Sequence, residues 1–405
     1  MQTLVIGAGA SGMIAALTAA AIPGNRVRVL ERQARVGRKL SATGNGRCNL
    51  TNLNAVAADY HSGTGEDFYA LNAFDVPTTL SYFEQLGLVC VSESDGRCYP
   101  HSDQATSVVD VLRFALANCG AQLELGCEVQ NITFKKGRFH VKTSTGDFAA
   151  DRLILATGGP AGEKLGATAD GARFVRMMGH SVTPLLPGLV QLVADEPLLR
   201  SLKGVRAPAV LQLSKHGTLL AQSAGEVQFT ENGVSGPAVF ELSREASMNL
   251  PCELTLDLLP QKEEAVLLEL LKNRCVRQPE LTTDDLLTGI LHNRLGRVCT
   301  KKAGLSPAAL LRTLSEDDLA RTARIIKAYS LSILDTYGLE NAQVTIGGAN
   351  LSQFNPRTLE SRIVPGLYAC GEVLDVDGPC GGYNLQWAWS SGHLAGQLLH
   401  EEEQV

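Results

Sequence analysis

Gly7, Gly9 and Gly12 stand in the Gly-x-Gly-x-x-Gly spacing, which lets a backbone turn tightly, approach a pyrophosphate and pack a helix closely on a strand. Ala10 and Ser11 lie within the same fingerprint, where the amides of a helix N-terminus stabilise phosphate charge. The context is the one such a motif needs: an apolar strand from Thr3 to Ile6 before it and a helix-like run from Met13 to Ala21 after it. A second strand, Arg26 to Leu30, ends at Glu31, about 20 residues past the last glycine, where a carboxylate binds a ribose hydroxyl. Arg32 follows directly. These residues predict a site for a cofactor that carries an adenosine, so FAD rather than FMN if the cofactor is a flavin.

Three further segments extend that site. The loop from Gly37 to Asn52 concentrates glycines and cations, which suits an anion and a polarised ring. Arg38 and Lys39 are expected at the pyrophosphate, and Asn45, Gly46, Arg47, Cys48 and Asn49 along the flavin ring. The apolar strand in Leu153-Ile-Leu-Ala-Thr-Gly-Gly159 stops at Ala156, Thr157 and Gly158, a pattern found at the adenosine side of flavin cofactors; Val129 joins this group. Near the other end of the chain, Tyr368-Ala-Cys-Gly-Glu-Val-Leu-Asp375 offers Gly371 and Glu372, the latter for the ribityl or phosphate side. A glycine-rich turn then leads through Gly382, Tyr383, Asn384 and Leu385 into a helix. The first amides of such a helix are free to stabilise negative charge on the N1/O2 edge of a reduced flavin. Trp387 and Trp389 are read as packing residues. For catalysis the candidates are Asn49, Arg47 as an anion contact, and His101 in Tyr99-Pro-His101 as a proton donor.

The elements that position these residues alternate strand and helix as far as about residue 185, with strands Gln122 to Leu125 and Arg152 to Ala156, helices Thr78 to Gly87 and Ser107 to Asn118, and a hairpin around Lys136-Gly137. That alternation predicts a doubly wound α/β core with a parallel sheet. Residues 186–258 show period-two alternation, as in Val210 to Ser214 and Cys252 to Leu256, and predict a β-rich insert. Residues 259–339 show three- and four-residue apolar spacing in Glu263 to Lys272, Thr283 to Thr300 and Glu316 to Tyr329, and predict a helical insert. The fold class is thus α/β, a discontinuous Rossmann-like FAD-binding domain (1–185 and 340–405) with a β-rich insert and a helical insert. The acidic stretch Glu401 to Glu403 reads as a solvated end.

Composition narrows the function classes. Lys plus Arg number 36 against 42 Asp plus Glu, a net charge of -6 with no block of basic residues, which argues against nucleic acid as a partner. No apolar run reaches the length of a membrane span, and the first one carries the glycine fingerprint, so cytoplasmic residence is expected. Ten cysteines show no Cys-x-x-Cys pair and no metal-type spacing; they read as reduced, mostly buried thiols, and no metal site is expected.

The combination of Gly-Arg-Lys-Leu-x-x-Thr-Gly-Asn-Gly-Arg-Cys-Asn-Leu-Thr-Asn52, Gln228-Phe-Thr-x-x-Gly-Val-Ser-Gly-Pro-Ala238 and Gly371-Glu-Val-Leu-Asp-Val-Asp-Gly-x-Cys-Gly-Gly-Tyr-Asn-Leu-Gln-Trp-Ala388 resembles the BaiN/YhiN-type flavoprotein family, which is also associated with aminoacetone oxidase. The resemblance spans essentially the whole chain. It implies FAD, with Gly7, Gly9, Gly12, Glu31, Arg38, Lys39, Gly371, Glu372 and Asn384 at cofactor contacts. It further implies hydride transfer between the flavin and a small or steroid-like substrate. The finer expectation is reduction of a conjugated double bond with NAD(P)H as transient electron donor; there is one dinucleotide fingerprint and no second. Two alternatives are an amine oxidase that uses oxygen and, in another class, a flavin-bound tRNA-modifying or redox-sensing protein.

Overall fold

The computed structural model describes residues 1–400, so Glu401 to Glu403 lie outside the described residues. The chain forms two compact units, Met1–Leu186 with Gln343–Val405, and Pro187–Ala342.

The first unit is built on five parallel strands: β1 (Gln2–Ile6), β2 (Arg26–Glu31), β3 (Gln122–Leu125), β4 (Arg152–Leu155) and β5 (Leu367–Ala369), in the order β5-β4-β1-β2-β3. Val5 lies opposite Val29 on one side and Ile154 on the other, and all three are fully buried. Strands buried on both faces read as continuous apolar runs, which is why Leu4-Val5-Ile6 and Leu153-Ile154-Leu155 carry no alternation. The strand order reverses between β1 and β4, with β2 and β3 added on one side of β1 and β4 and β5 on the other, so the crevice at their carboxyl ends is the switch point where an open α/β sheet binds ligands. The expected hairpin is present as Val129–Lys135 and Arg138–Thr143, with a third strand, Asp147–Ala150, that the sequence did not signal.

Five helices matter for the site: α1 (Ala10–Ala20), α2 (Val76–Gln85), α3 (Ala105–Asn118), α4 (Asp170–Met177) and α5 (Tyr383–Gly396). α5 lies directly on α1. A Cβ at Gly392 would stand 2.5 Å from the Ser11 carbonyl oxygen, and one at Gly396 would stand 2.6 Å from that of Ala15, so the two backbones touch where side chains would otherwise hold them apart. Buried polar bonds fix the outer side of α5. Thr51 Oγ1 donates to Gln386 Oε1 (2.6 Å), and Gln386 Nε2 donates to Thr79 Oγ1 on α2 (2.8 Å) and to the Phe74 carbonyl (3.1 Å). Trp389 Nε1 donates to the Leu50 carbonyl (2.8 Å) and Trp387 Nε1 to that of Gly371 (3.2 Å); both indoles are buried, as packing residues are.

The second unit divides the inserted residues differently from the sequence reading. Six strands close into one barrel, in the order Leu192–Ala194, Gly233–Ser235, Thr218–Phe229, Arg206–Lys215, Cys252–Asp257 and Tyr329–Thr336. The segment expected to be helical supplies the strand Tyr329–Thr336, and the segment expected to be β-rich contains the helix Pro237–Asn249. The reason lies in burial: Tyr329, Leu331 and Ile333 alternate with exposed Ser330 and Ser332, a two-residue period that begins where the helix Glu316–Lys327 ends. Ser315 caps that helix as expected, in a reciprocal capping box with Asp318. The run Thr283 to Thr300 is helical only in its last part, Asn293–Lys302, after a short turn at Thr283–Asp285.

The α1–α5 contact yields a stability test. Gly392→Ala places a methyl group against backbone that has no flexible end to move, so it should cost about 1–3 kcal/mol in urea denaturation. A loss below about 0.5 kcal/mol, the ordinary range for a surface position, would mean that the helices do not pack this closely.

Candidate functional site

At the carboxyl end of β1, Gly7 has φ +103° and its N–H donates to the Leu30 carbonyl (2.8 Å). A side chain there would collide with the Ala156 backbone, and one at Gly12 would collide with Gly7 itself. Gly9 is different: it has an ordinary φ of -82° and nothing lies within 4 Å of where its Cβ would be. Two glycines of the fingerprint therefore serve the fold, and the third leaves open space. That space faces α1, whose first turn has no side-chain cap and so keeps its amides available. Ser11 on this turn packs against Gly371, which brings the return from β5 onto the same helix start.

At the adenosine side, Glu31 is 9 % exposed, and its carboxylate is pre-aligned by the N–H groups of Ala8 (2.8 Å) and Gln33 (2.7 Å). Val129 and Ala156 are buried, and Thr157 and Gly158 meet the start of α4 through Gly171. Arg32 does not point into open space: it pairs with Asp170 (3.4 Å) and Glu128 (3.7 Å). Arg38 bonds Gln33 Oε1 and the Lys164 carbonyl, both at 3.0 Å. Arg38, expected at the pyrophosphate, is thus held on the Gln33 face of its short helix.

Lys39 and Glu372, expected as separate cofactor contacts, are brought together in one ion pair (2.7 Å). Glu372 also accepts from the Thr345 N–H (2.6 Å). The pair joins the 37–52 loop to the C-terminal segment across the crevice.

Along the ring side, Cys48 sits at φ +63° with its thiol fully buried, and burial pushes that thiol up to about 12, which makes it unreactive near neutral pH. The neighbouring Asn49 is 9 % exposed, and its Oδ1 is buried without a hydrogen-bond partner. Such an atom costs about 1–3 kcal/mol unless a ligand supplies the donor. Asn45 and Gly46 are exposed. The Arg47 guanidinium, expected as an anion contact, pairs with Asp103 and with Glu93 (3.0 Å) and lies over the Tyr99 ring at 4.0 Å, and these two acids hold its pKa above the usual arginine range. Its donors are spent on surface acids. His101 is exposed at the end of the strand Arg97–Pro100.

The start of α5 completes the arrangement. Gly382, at φ +102°, lies against the Thr51 backbone, 2.5 Å from Thr51 O to where its Cβ would be, and no side chain caps the helix. Asn384 closes the preceding turn: it accepts from the Gly378 N–H (3.0 Å) and donates to the carbonyls of Gly378 (2.8 Å) and Pro379 (3.1 Å). Its side chain thus holds the glycine turn in place. Tyr383 is held by its carbonyl, which accepts from Tyr60 (2.9 Å), and Leu385 packs on the core. Arg97 was missed in the sequence because it sits in a four-residue strand. Its Nε lies 3.2 Å from the Cβ position of Gly381 and 3.3 Å from Asp95 Oδ2, so the cation beside the uncapped helix end is shared with an acidic partner. Asn52, in the two-residue strand Thr51–Asn52, donates to the Gly381 carbonyl (2.9 Å) and was likewise not singled out in the sequence.

The model for the HI0933-like protein Rossmann domain matches residues 1–398. This chain belongs to that family. Among its relatives, a 3-dehydro-bile acid Δ(4,6)-reductase of Clostridium scindens is 38% identical, over 98% of each chain. A ribosomal RNA dihydrouridine synthase of Escherichia coli is 30% identical, again over 98% of each. The second name limits the expectation drawn from net charge, since this HI0933-like family includes an enzyme named for RNA. A solved 3-ketosteroid Δ1-dehydrogenase of Sterolibacterium denitrificans is 13% identical over 98% of each chain with a TM-score of 0.50, a likeness of fold. The HI0933-like chain is an FAD-dependent oxidoreductase. Its residues fit FAD: open space at Gly9, two uncapped helix starts, the pre-aligned Glu31 carboxylate and the unpaired Asn49 oxygen. No described helix is long and apolar enough to cross a membrane.

The different roles of the glycines can be separated. Gly9→Val should give a folded protein that has lost most of its FAD, because the side chain meets only the space a pyrophosphate needs. Gly12→Val should fail to fold or lose several kcal/mol. Circular dichroism and the flavin released on denaturation read both effects, and full FAD occupancy in Gly9→Val would show that this space is not the cofactor's.

Proposed function

We propose that this enzyme reduces a carbon–carbon double bond conjugated with a carbonyl group, on a steroid-like or comparable ring substrate, with NAD(P)H as the transient donor of electrons to FAD. The observation that carries the reading is the uncapped start of α5 with Arg97 beside it, in a chain 38% identical to an enzyme named for reducing bile-acid double bonds. The second relative's name fits the same reaction type. Dihydrouridine is uridine with its C5=C6 bond saturated, and that bond is conjugated with the C4 carbonyl.

When bound, FAD supplies the hydride. The chain's own groups bind and bias it. The α1 amides neutralise the pyrophosphate, and Glu31 fixes the adenosine ribose. The α5 amides and Arg97 stabilise negative charge at the helix start, which favours the reduced anionic ring. The Lys39–Glu372 pair holds the two halves of the crevice in register, and Asn49 offers an acceptor to a ring N–H. With one dinucleotide fingerprint in the sequence, nicotinamide and substrate would occupy the same site in turn, and ping-pong kinetics would follow. His101 and Arg47 stand as candidates for contact with the substrate, with Arg47 first having to leave its acidic partners.

An anaerobic experiment decides between this reading and an amine oxidase. Enzyme reduced with NADPH and freed of excess donor should be reoxidised, one flavin per substrate, by a 3-oxo-4-ene steroid in the absence of oxygen. Reduction of the oxidised enzyme by an amine, with a reduced form that only oxygen restores, would contradict it.

A further inference from the structure

Asp375 and Asp377 stand in the long motif from Gly371 to Ala388, and the binding of FAD uses neither. Both are buried, at 2% and 4% exposure, a depth at which acids are rare unless something holds them. Asp375 is held by the segment 60–64: its Oδ2 accepts from the Gly63 N–H (3.1 Å) and from the Thr64 hydroxyl (3.2 Å). Asp377 lies along the same segment. Its N–H donates to the His61 carbonyl (3.0 Å), and its own carbonyl accepts from the His61 N–H (2.8 Å), which makes an antiparallel bridge. Residues that exchange both bonds stand directly opposite, with side chains on one face and Cβ atoms about 4.5–5.5 Å apart. His61 is exposed. The bridge therefore sets an imidazole that meets water beside a carboxyl group that does not.

Both halves of this bridge are tied to the start of α5. Tyr60, one residue before His61, donates its hydroxyl to the Tyr383 carbonyl (2.9 Å), and Gly378, one residue after Asp377, donates its N–H to Asn384 Oδ1 (3.0 Å). A negative charge on a ring at this helix start thus adds to that of the buried acids. Burial and a neighbouring negative charge both disfavour the charged form of an acid, whereas hydrogen-bond donors favour it. With Asp375 held charged by its two donors, a proton relieves the repulsion at Asp377, whose neighbour His61 reaches water. The other ionisable groups about the turn do not offer this. Asp59 accepts from the Val56 N–H (2.9 Å), Arg97 pairs with Asp95 (3.3 Å), and burial pushes Tyr60 above the usual tyrosine range. Cys380 and Tyr383 belong to residue types that ordinarily lose their protons only above neutral pH, and the segment 344–351, which bonds Asp375 through Ala349, has no ionisable side chain.

We propose that Asp377 and His61 take up a proton when the flavin becomes anionic, Asp377 holding it and His61 passing it in from water. This uptake rests on the placement of FAD at the start of α5, and the use of the proton rests on the reductase reading. Reduction of a conjugated double bond consumes a hydride at the β carbon and a proton at the α carbon. The flavin brings the hydride with its electron pair, the C=C pair moves to the α carbon, and the proton held at Asp377 bonds there. The flavin returns to its oxidised form and Asp377 to its carboxylate, so electrons and protons balance.

The test counts protons with an indicator dye during anaerobic electrochemical reduction of the full FAD-loaded chain, slightly above neutral pH. Wild type should take up about two protons per flavin, one on the ring and one on the pair, and Asp377→Asn about one. His61→Gln, at an exposed position, should keep the wild-type count but take up the second proton at least about tenfold more slowly, and imidazole added to the buffer should restore the rate. A count of about one in wild type, a count of about two in Asp377→Asn, or an unchanged rate in His61→Gln would overturn the proposal. The last of these stands even if Asp377→Asn does not fold. Reoxidation tests the second step: a small enone should restore the oxidised flavin without releasing protons to the solvent, whereas ferricyanide should release both. Proton release during reoxidation by the enone would overturn that use of the proton. Failure of the reductase reading would show separately, as a reduced flavin that the enone does not reoxidise, with the proton count of reduction unchanged.

Discussion

The site depends on one close contact. Its residues come from the first 160 and the last 60 positions of the chain, and nothing in their sequence separation holds them together. Gly392 and Gly396 do so by letting α5 lie against the backbone of α1 at Ser11 and Ala15. Once these helices touch, Ser11 packs on Gly371, Trp387 bonds the Gly371 carbonyl, and the segment after β5 lies over the first turn of α1. The 37–52 loop is then clamped from the other side, through Trp389 on Leu50 and Gln386 on Thr51. Each of these bonds is buried, so leaving any one of them unmade would strand a desolvated polar group at a cost of about 1–3 kcal/mol.

The same contact explains the electrostatics. Two helices begin at one crevice without side-chain caps, and each leaves backbone amides for negative charge. In the proposed reading, one would serve a group that is always anionic, the pyrophosphate, and the other a ring whose charge changes with its oxidation state. The cations that the sequence suggests for this purpose are mostly committed elsewhere. Arg47 is held by Glu93 and Asp103, Arg32 by Asp170 and Glu128, and Lys39 by Glu372. Fixed backbone dipoles, which need no reorganisation, would carry the binding of charge instead in the proposed reading.

Much of this was legible in the residues. The fingerprint, Glu31 and the glycine turn before α5 announce their roles because only particular backbone geometries tolerate them, and the parallel strands announce themselves by apolar runs. What stayed hidden depends on where side chains go after the chain folds. Arg38 and Arg47 look like anion ligands by type, but their partners, Gln33, Glu93 and Asp103, lie in segments whose approach no spacing encodes. The barrel was hidden for a related reason: its last strand, Tyr329–Thr336, follows a helix without a loop and returns from 70 residues away to pair with Cys252–Asp257.

The most direct test of the central claim is the electron density of the oxidised holoprotein. The account requires the FAD pyrophosphate at the first turn of α1 beside Gly9, the adenosine ribose on Glu31, and the pyrimidine edge of the isoalloxazine at the start of α5, near Gly382 and Asn49. An isoalloxazine ring whose pyrimidine edge lies away from α5, or a pyrophosphate away from Gly9, would contradict it.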